Sequence, residues 1–465
     1  MTRKMNVDLT SGSILKKMML FALPLMATNI LQVFFHSADV FILGLCLEGE
    51  LGDLAMGAVG ANGTLITLIT GLFIGISMGT NVLVAKYFSA KDTEKVQKNV
   101  GMAILFSLIG GVLIFFIGFF GARTFLTWLN IDQKMMDMAV KYLQIYSIGF
   151  PLTMLYNFTS AILRAAGDTV RPLIYLIISG IVNIVFNLVF VMFFGMDVEG
   201  VAMATIISQG LSSALCIISL LRTKEIYRLI PKHIKIYPEE LKEVLRIGVP
   251  MGVQSMLFSI ANLSIQSCVN EIDEFYATAG NSLASSIDNI LYHVIHAFAL
   301  TLLTFSGQNY GAGNYDRLVK ARKTAIILEL TFGFCAGIIM LLLCKILVPI
   351  LADSPEAIFY AQKRLNVMGF TYFLCGIMDC YSCSLRGVGR SFSAMIISLF
   401  GACFLRLLWI EIIKLIPSIY SIEAIYITWP MSWIVTIVIY LFVTKSVFKK
   451  VKVEMEEMKK DTEEN

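Results

Sequence analysis

Long apolar runs separated by short polar segments make up most of the chain. Each run exceeds the roughly 20 residues that a helix needs to cross a bilayer core. The runs lack the short apolar–polar alternation that is typical of a membrane β-barrel. The pattern therefore predicts an all-α integral membrane protein with twelve transmembrane helices, near residues 15–43, 55–83, 97–121, 137–162, 171–194, 198–221, 241–269, 278–306, 322–350, 358–384, 391–416 and 424–446.

The composition agrees with this pattern and excludes other classes. Hydrophobic residues make up 57% of the 465 positions and charged residues 15%, whereas a soluble domain is about a quarter charged. The net charge of +4 is too mild to indicate nucleic-acid binding. No P-loop motif is present, so an internal ATPase is excluded. The nine cysteines lie mostly inside apolar runs, and we expect them to be packing residues.

Basic residues predict the orientation in the membrane. Most of the 37 Lys and Arg residues lie in the N-terminal segment, in the C-terminal tail and in the loops after even-numbered spans. Basic loops stay on the cytoplasmic side of a membrane. We therefore expect a multi-pass protein of the plasma membrane with both termini in the cytoplasm. Because no cleavage site follows the first basic residues, the first apolar run is expected to be a retained span.

Two segments of the chain recur at an offset of 222 residues. The segment 85–98 resembles 307–320, and Leu163-Arg164-Ala165-Ala166-Gly167 matches Leu385-Arg386-Gly387-Val388-Gly389. One shared offset at two distant places indicates an internal repeat. Six spans in each repeat make the repeats parallel, related by a pseudo-twofold axis along the membrane normal.

The repeat predicts the organisation of the chain. We expect an N-terminal six-helix lobe at 1–222, a cytoplasmic linker at 223–240, a C-terminal six-helix lobe at 241–448 and a charged cytoplasmic tail at 449–465. A substrate cavity between the lobes and rocking of one lobe against the other would follow. This organisation favours a secondary transporter.

Asp39 is the most informative polar residue, because it lies inside the first apolar run. A charge at membrane depth costs about 3 kcal/mol or more, so such a residue is a functional candidate. Burial favours the neutral acid, which would suit proton exchange. Neutral oxygens around an ionised carboxylate would instead suit an alkali cation. The alternative is a structural carboxylate held by hydrogen bonds within the bundle.

Other polar and aromatic residues extend this set. Asn183 and Asn187 are four residues apart and share a helix face, with interhelical hydrogen bonding as the alternative role. Asp379 is a candidate for contact with a cationic substrate, or for pairing with Arg406 or Lys363. The predicted residues of the substrate cleft are Asn157, Asp379, Asp288, Phe35, Tyr146 and Phe150.

Two prolines and two histidines complete the candidates. Pro24 and Pro250 interrupt helical hydrogen bonding at similar places in the two halves, so we expect them to act as hinges. His293 and His296 are three residues apart without further nearby ligands, so cavity lining or a structural role is favoured. We expect no metal and no cofactor.

Several motifs together resemble the multidrug and toxic compound extrusion (MATE) family. They are Ala22-Leu23-Pro24, Asp39 late in the first span, Gly307-Gln308-Asn309-Tyr310-Gly311-Ala312-Gly313 and the two Leu-Arg-x-x-Gly turns. The resemblance covers residues 12–447. It implies twelve helices in two lobes around a central cleft, and export of amphipathic, often cationic compounds in exchange for Na⁺ or H⁺.

The resemblance also implies a set of coupling residues. In the similar branch of the family, an aspartate of the first span meets Asn, Asp and Thr from the fifth and sixth spans. Asp39, Asn183 and Thr205 fit three of these positions, whereas Asn187 stands where an Asp is common. One cation could bind such a site, either Na⁺ or a proton. Combined binding of both ions is doubtful without the second carboxylate.

The sequence is thus interpreted as a monomeric, non-enzymatic antiporter whose partners are small organic substrates and the lipid bilayer. A lipid-linked saccharide flippase of the same superfamily is the first alternative, although it would favour a more cationic cleft. A membrane receptor or channel without coupled transport is the second, although it would not need two parallel repeats with paired prolines.

Overall fold

The computed structural model describes residues 6–47, 49–129, 131–273, 275–351, 354–416 and 418–464, and this part of the chain is helical without a strand. The all-α membrane fold expected from the sequence is therefore confirmed.

The α-helices are α1 Ile14–Cys46, α2 Glu50–Ser89, α3 Thr93–Trp128, α4 Gln133–Ile148, α5 Phe150–Ala165, α6 Val170–Leu188, α7 Val198–Arg222, α8 Pro238–Ile272, α9 Tyr276–Gly311, α10 Tyr315–Leu328, α11 Phe334–Leu351, α12 Pro355–Gly387, α13 Ser391–Leu399, α14 Leu405–Lys414, α15 Ile422–Tyr426 and α16 Thr428–Glu464.

Short segments of other helix types interrupt this series. A 3₁₀-helix covers Pro231–His233, and π-helical segments cover Val189–Phe193, Glu329–Gly333 and Phe400–Phe404. The π segments join α6, α10 and α13 to the residues that follow. Such bulges are rare and are frequently found at functional sites.

Ten helices in the described ranges are long and apolar enough to cross a membrane. The remaining two predicted spans are also helical. One is divided into two shorter helices, and the other contains charged residues. The span predicted at 137–162 is divided at Gly149 into α4 and α5, of 16 residues each. The span predicted at 358–384 lies within α12, which carries Lys363, Arg364 and Asp379.

The chain divides into two compact units. Of the described residues, the first unit contains 6–8 and 27–252, and the second contains 9–26 and 253–464. Helix α1 thus contributes its first part to the second unit and its remainder to the first, and α8 also contributes to both. The lobe boundaries expected from the sequence stay a prediction.

Helices α2, α5, α9 and α12 end in the same type of turn, and this explains the sequence repeat. The second residue after each helix end has a positive φ, at Lys91 (59°), Gly167 (90°), Gly313 (68°) and Gly389 (79°). In each turn this amide donates to the carbonyl three residues earlier, and the next amide donates to the carbonyl five residues earlier. These bonds define the Schellman motif. The turns of the two units are 222 residues apart, as are the helix ends before them.

Close helix packing in the first unit depends on two pairs of glycines. Gly75 and Gly79 of α2 face Gly248 and Gly252 of α8, and a Cβ at Gly79 would lie 2.6 Å from the carbonyl oxygen of Val244. Both pairs have the small-x-x-x-small spacing that lets membrane helices approach closely. The backbones therefore touch where larger side chains would separate them.

Replacing Gly167 by Ala should destabilise the protein more than the same change at Gly389. Both changes strain a left-handed residue, which costs about 1–2 kcal/mol. At Gly167 the new Cβ would also collide with the carbonyl oxygen of Val7, whose amide donates to the carbonyl of Gly167 at 2.9 Å. Nothing lies within 4 Å of a Cβ at Gly389. Thermal unfolding of both purified variants measures the difference, and equal losses would contradict this account.

Candidate functional site

Four side chains of the first unit form a closed ring of hydrogen bonds around the Asp39 carboxyl. Asn187 Nδ2 donates to Asp39 Oδ1 at 2.7 Å, and Thr205 Oγ1 donates to Asp39 Oδ2 at 3.1 Å. Asn187 Nδ2 also contacts Asn183 Oδ1 at 3.3 Å, and Asn183 Nδ2 donates to Thr205 Oγ1 at 3.3 Å. Both carboxyl oxygens of Asp39 therefore accept from neutral donors.

This ring is buried and holds no cationic side chain. Asp39 is 3% exposed, and its three partners are buried as well. Within the described ranges Asp39 has no ion pair. Asn187 Oδ1 is buried without a hydrogen-bond partner. The ring thus places one ionisable acid and one unsatisfied amide oxygen together in an apolar environment.

Three helices bring the ring together. Asp39 lies on α1, the two asparagines lie one turn apart on α6, and Thr205 lies two turns inside α7. Asp197 caps α7 by accepting from the amide of Glu199 at 3.4 Å, which fixes where that helix begins. The π segment Val189–Phe193 follows Asn187 by two residues. The ring therefore sits beside an irregular turn of α6.

An aromatic column lies in electrostatic range of Asp39. Tyr142, Tyr146 and Phe150 follow one another along α4 and α5, with ring centroids 5.7 and 5.6 Å apart. Asp39 interacts electrostatically with both tyrosines. Phe150 is fully buried and Tyr146 nearly so, so both pack within the unit. Any contact of these two residues with substrate would need this core to open.

The other predicted residues from the first half of the chain, together with Pro250, lie outside the Asp39 ring. Phe35 packs its ring against Gly180 of α6, where a Cβ would collide with it. Asn157 donates to the carbonyl of Thr153 in its own helix at 2.9 Å. Pro250 is buried inside α8. Pro24 lies inside α1, in the part that belongs to the second unit.

Asp288 of the second unit is neutralised by Arg364. Arg364 Nη2 and Nε contact Asp288 Oδ2 at 2.8 and 2.9 Å, and Arg364 Nη1 donates to Asn281 Oδ1 at 2.8 Å. The guanidinium also lies 5.1 Å from the ring centroid of Trp429. Asp288 and Arg364 are both buried, so each charge compensates the other.

Asp379 has a different partner from those considered in the sequence. Its Oδ2 lies 3.1 Å from His296 Nδ1, and Tyr292 OH lies 3.4 Å from the same nitrogen. The rings of Tyr292 and His296 are stacked, with centroids 5.1 Å apart. His293, three residues before His296, is partly buried. The structure thus places Asp288 and Asp379, the two predicted acids of the second unit, in different networks.

Sequence reasoning missed Glu329, which is fully buried in the second unit. Its Oε2 has no hydrogen-bond partner, and it begins the π segment Glu329–Gly333. The sequence does contain a signal for this residue, because Glu329 is an ionisable side chain inside a predicted span, flanked by Ile326-Ile327-Leu328 and Leu330. Gln254, which accepts from Arg386 Nη2 at 2.7 Å, was missed as well.

The fold and the buried polar ring define a class of protein, and comparison with known proteins defines the family. Ten apolar helices make the chain a multi-pass membrane protein, and its structural likeness is to transporters. The sequence profile of the MatE family matches residues 24–189 and 250–409, more than half of the chain. The chain belongs to this family, and the resemblance found in its motifs is confirmed.

Relatives and solved structures agree with this assignment. The probable multidrug resistance protein YpnP of Bacillus subtilis is 27% identical over 403 residues, which cover 86% of this chain and 88% of YpnP. The probable multidrug resistance protein NorM of Thermotoga maritima is 25% identical over 392 residues, 82% of each chain. A crystal structure of MATE in the bent conformation has a TM-score of 0.89 at 20% identity, covering 98% of this chain and 100% of that one.

Replacing Thr205 by Val should lower the stability of the protein. The change keeps the side-chain shape but removes the hydroxyl that donates to Asp39 Oδ2 and accepts from Asn183. A buried polar group left without its partner costs about 1–3 kcal/mol. Thermal unfolding of the purified variant measures the loss. Thr67→Val is the control, because that exposed hydroxyl bonds only to Gly63 in its own helix, and equal stability of the two variants would contradict the ring.

Proposed function

We propose that the protein is a secondary active antiporter that exports amphipathic, cationic organic compounds in exchange for H⁺ or Na⁺ by alternating access. The observation that carries the proposal is the buried Asp39 carboxyl, whose partners are all neutral. The names of the relatives, both probable multidrug resistance proteins, support the substrate class. The proposed location is the plasma membrane, with both termini cytoplasmic and the protein a monomer.

The coupling follows from the cost of an uncompensated charge. An ionised Asp39 in apolar surroundings needs a cation, and a proton, Na⁺ or an organic cation can each supply that charge. Because the Asp39 carboxylate always needs one cation but accepts different cations, release of one is coupled to binding of another. Asn183, Asn187 and Thr205 orient the carboxyl and satisfy its lone pairs without competing for its charge. Antiport is the consequence.

The same ring limits the number of ions. Asn187 supplies an amide where related sites have a second carboxylate, so the ring carries at most one negative charge. The unpartnered Asn187 Oδ1 could become a neutral ligand for Na⁺ if the amide rotated. Exchange of one monovalent cation for each transport cycle at this ring is therefore proposed.

Substrate contact and hinge motion remain proposals for the other predicted residues. The aromatic residues Phe35, Tyr146 and Phe150 have rings that attract cations. The polar residues are Asn157, Asp288 and Asp379, of which Asp288 is engaged by Arg364 and Asp379 by His296. Pro24 and Pro250 are the proposed hinges, because a proline inside a helix removes one backbone hydrogen bond.

Replacing Asp39 by Asn should abolish gradient-driven export. The amide keeps the shape of the side chain but cannot carry a charge, so the ring no longer requires a cation. The measurement is counter-flow of a labelled cationic dye in proteoliposomes under separate Na⁺ and pH gradients. Asp53→Asn is the control, because that exposed acid lies in the first turn of α2, and it should transport at the wild-type rate.

The two gradients separate the possible outcomes. Dye movement driven by only one gradient identifies the coupling ion. Dye movement that neither gradient accelerates would contradict antiport and favour an uncoupled channel or receptor. An Asp39→Asn variant that still accumulates dye against either gradient would show that the ring does not carry the coupling.

A further inference from the structure

Glu329 is a buried acid of the second unit. Its residue exposure is 0%, and Oε2 has no hydrogen-bond partner among the described residues. Oε1 accepts a weak hydrogen bond from the Cys380 thiol at 4.0 Å. An ionised carboxylate without a charged or strongly hydrogen-bonding partner is very costly in such a place. Such surroundings favour the neutral form of the carboxyl group over the ionised form.

A glycine makes room for this acid where three elements meet. Gly376 of α12 faces the π segment, and a Cβ at that position would collide with Glu329 Oε2. The same Cβ would lie 2.5 Å from a methyl carbon of Ile295 on α9. The acid thus lies against a glycine and a thiol, and Ile295 packs against the same glycine. Within the described part of the chain, no group of three or more His, Cys, Asp or Glu side chains could hold a metal ion here, whereas a proton needs only the carboxyl group itself.

Other titratable groups of the second unit surround this acid. Asp379, three residues after Gly376, is the charged group that interacts with Glu329, and it pairs with His296 on α9. Exposure of the side chains rises along this series, from the buried Glu329 to 12% at Asp379 and 24% at His296. On α10, Arg322 lies two turns before Glu329 and places its guanidinium 4.1 Å from the Phe448 ring centroid. The cysteines Cys375, Cys380 and Cys383 of α12 also interact with the acid.

We propose that Glu329, with Asp379 and His296, forms a second proton-binding site, separate from the Asp39 ring and contained within the second unit. Glu329 holds one proton in the conformation described. On release the O–H bond of its carboxyl breaks, the electron pair stays on oxygen, and the proton passes to the Asp379–His296 pair and then to water. Release requires a rearrangement that gives the carboxylate a partner.

The π segment supplies a place for such a rearrangement. Glu329 is its first residue, and a π turn can revert to α-helical geometry by shifting the register of its side chains. A shift of this kind would carry the carboxyl past Gly376, toward or away from Asp379. The use of the proton in transport rests on the proposed function, whereas protonation of Glu329 does not.

Infrared spectroscopy of the purified, full-length protein in lipid tests the proposal. A protonated carboxyl has a C=O stretching band separate from the bands of an ionised carboxylate. At neutral pH the spectrum of the wild type minus that of Glu329→Gln should contain the protonated band. Glu356→Gln, at an exposed acid in the first turn of α12, is the matched control and should show only lost carboxylate bands. Loss of carboxylate bands alone in Glu329→Gln would overturn the proposal.

A second variant keeps the test decisive if Glu329→Gln folds poorly. Gly376→Ala retains the acid but pushes its carboxyl out of place, so the protonated band should shift in frequency or disappear. An unchanged band in Gly376→Ala would show that it belongs to another acid and would contradict the assignment.

Proton release on substrate binding then distinguishes this site from the function proposed above. Addition of a cationic dye to wild-type protein in weak buffer should release more protons than addition to Glu329→Gln. If the wild type releases none, the proposed proton exchange fails, while the infrared band still decides whether Glu329 is protonated. Equal release by wild type and a folded Glu329→Gln would overturn a role for Glu329 in that release.

Discussion

A polar group in the apolar part of a membrane protein is costly unless another group of the same protein satisfies it, and this constraint explains most of the buried polar contacts. It explains the closed ring around Asp39, the pairing of Asp288 with Arg364 and the contact between Asp379 and His296. It also explains the polar side chains that bond to carbonyls of their own helices. Where a buried acid such as Asp39 has only neutral partners, an exchangeable cation can compensate its charge, and this is the basis of the proposed ion coupling.

The fold was predictable because its strongest signals are local in the sequence. Apolar length indicated the spans, and the recurrence of Leu-Arg-x-x-Gly reported a Schellman turn with glycine in a left-handed conformation. The division of the span at 137–162 into two helices and the π segments were not predicted. They depend on packing between helices that are distant in the sequence. The close approach of Gly75 and Gly79 to α8 depends on packing in the same way.

The site was predictable only in part. Asp39, Asn183, Asn187 and Thr205 were named from burial cost, helical spacing and family resemblance, and the structure places them in one ring. The partners of the second-unit acids were not foreseen, because spacing along one helix does not reveal which side chain of another helix faces it. Glu329 was overlooked although its apolar surroundings satisfied the argument applied to Asp39, so a consistent search of every predicted span would have found it.

The central claim is that the ionised Asp39 carboxylate binds either the coupling ion or the cationic substrate, so that the two compete for one site in the first unit. The most direct test measures the affinity of a cationic dye for purified protein while pH and Na⁺ concentration are varied separately, in the wild type and in Asp39→Asn. Ligands that compete for one site weaken each other reciprocally. The account predicts that the coupling ion weakens dye binding in the wild type and has no effect in the variant. The same ion dependence in both proteins would contradict it.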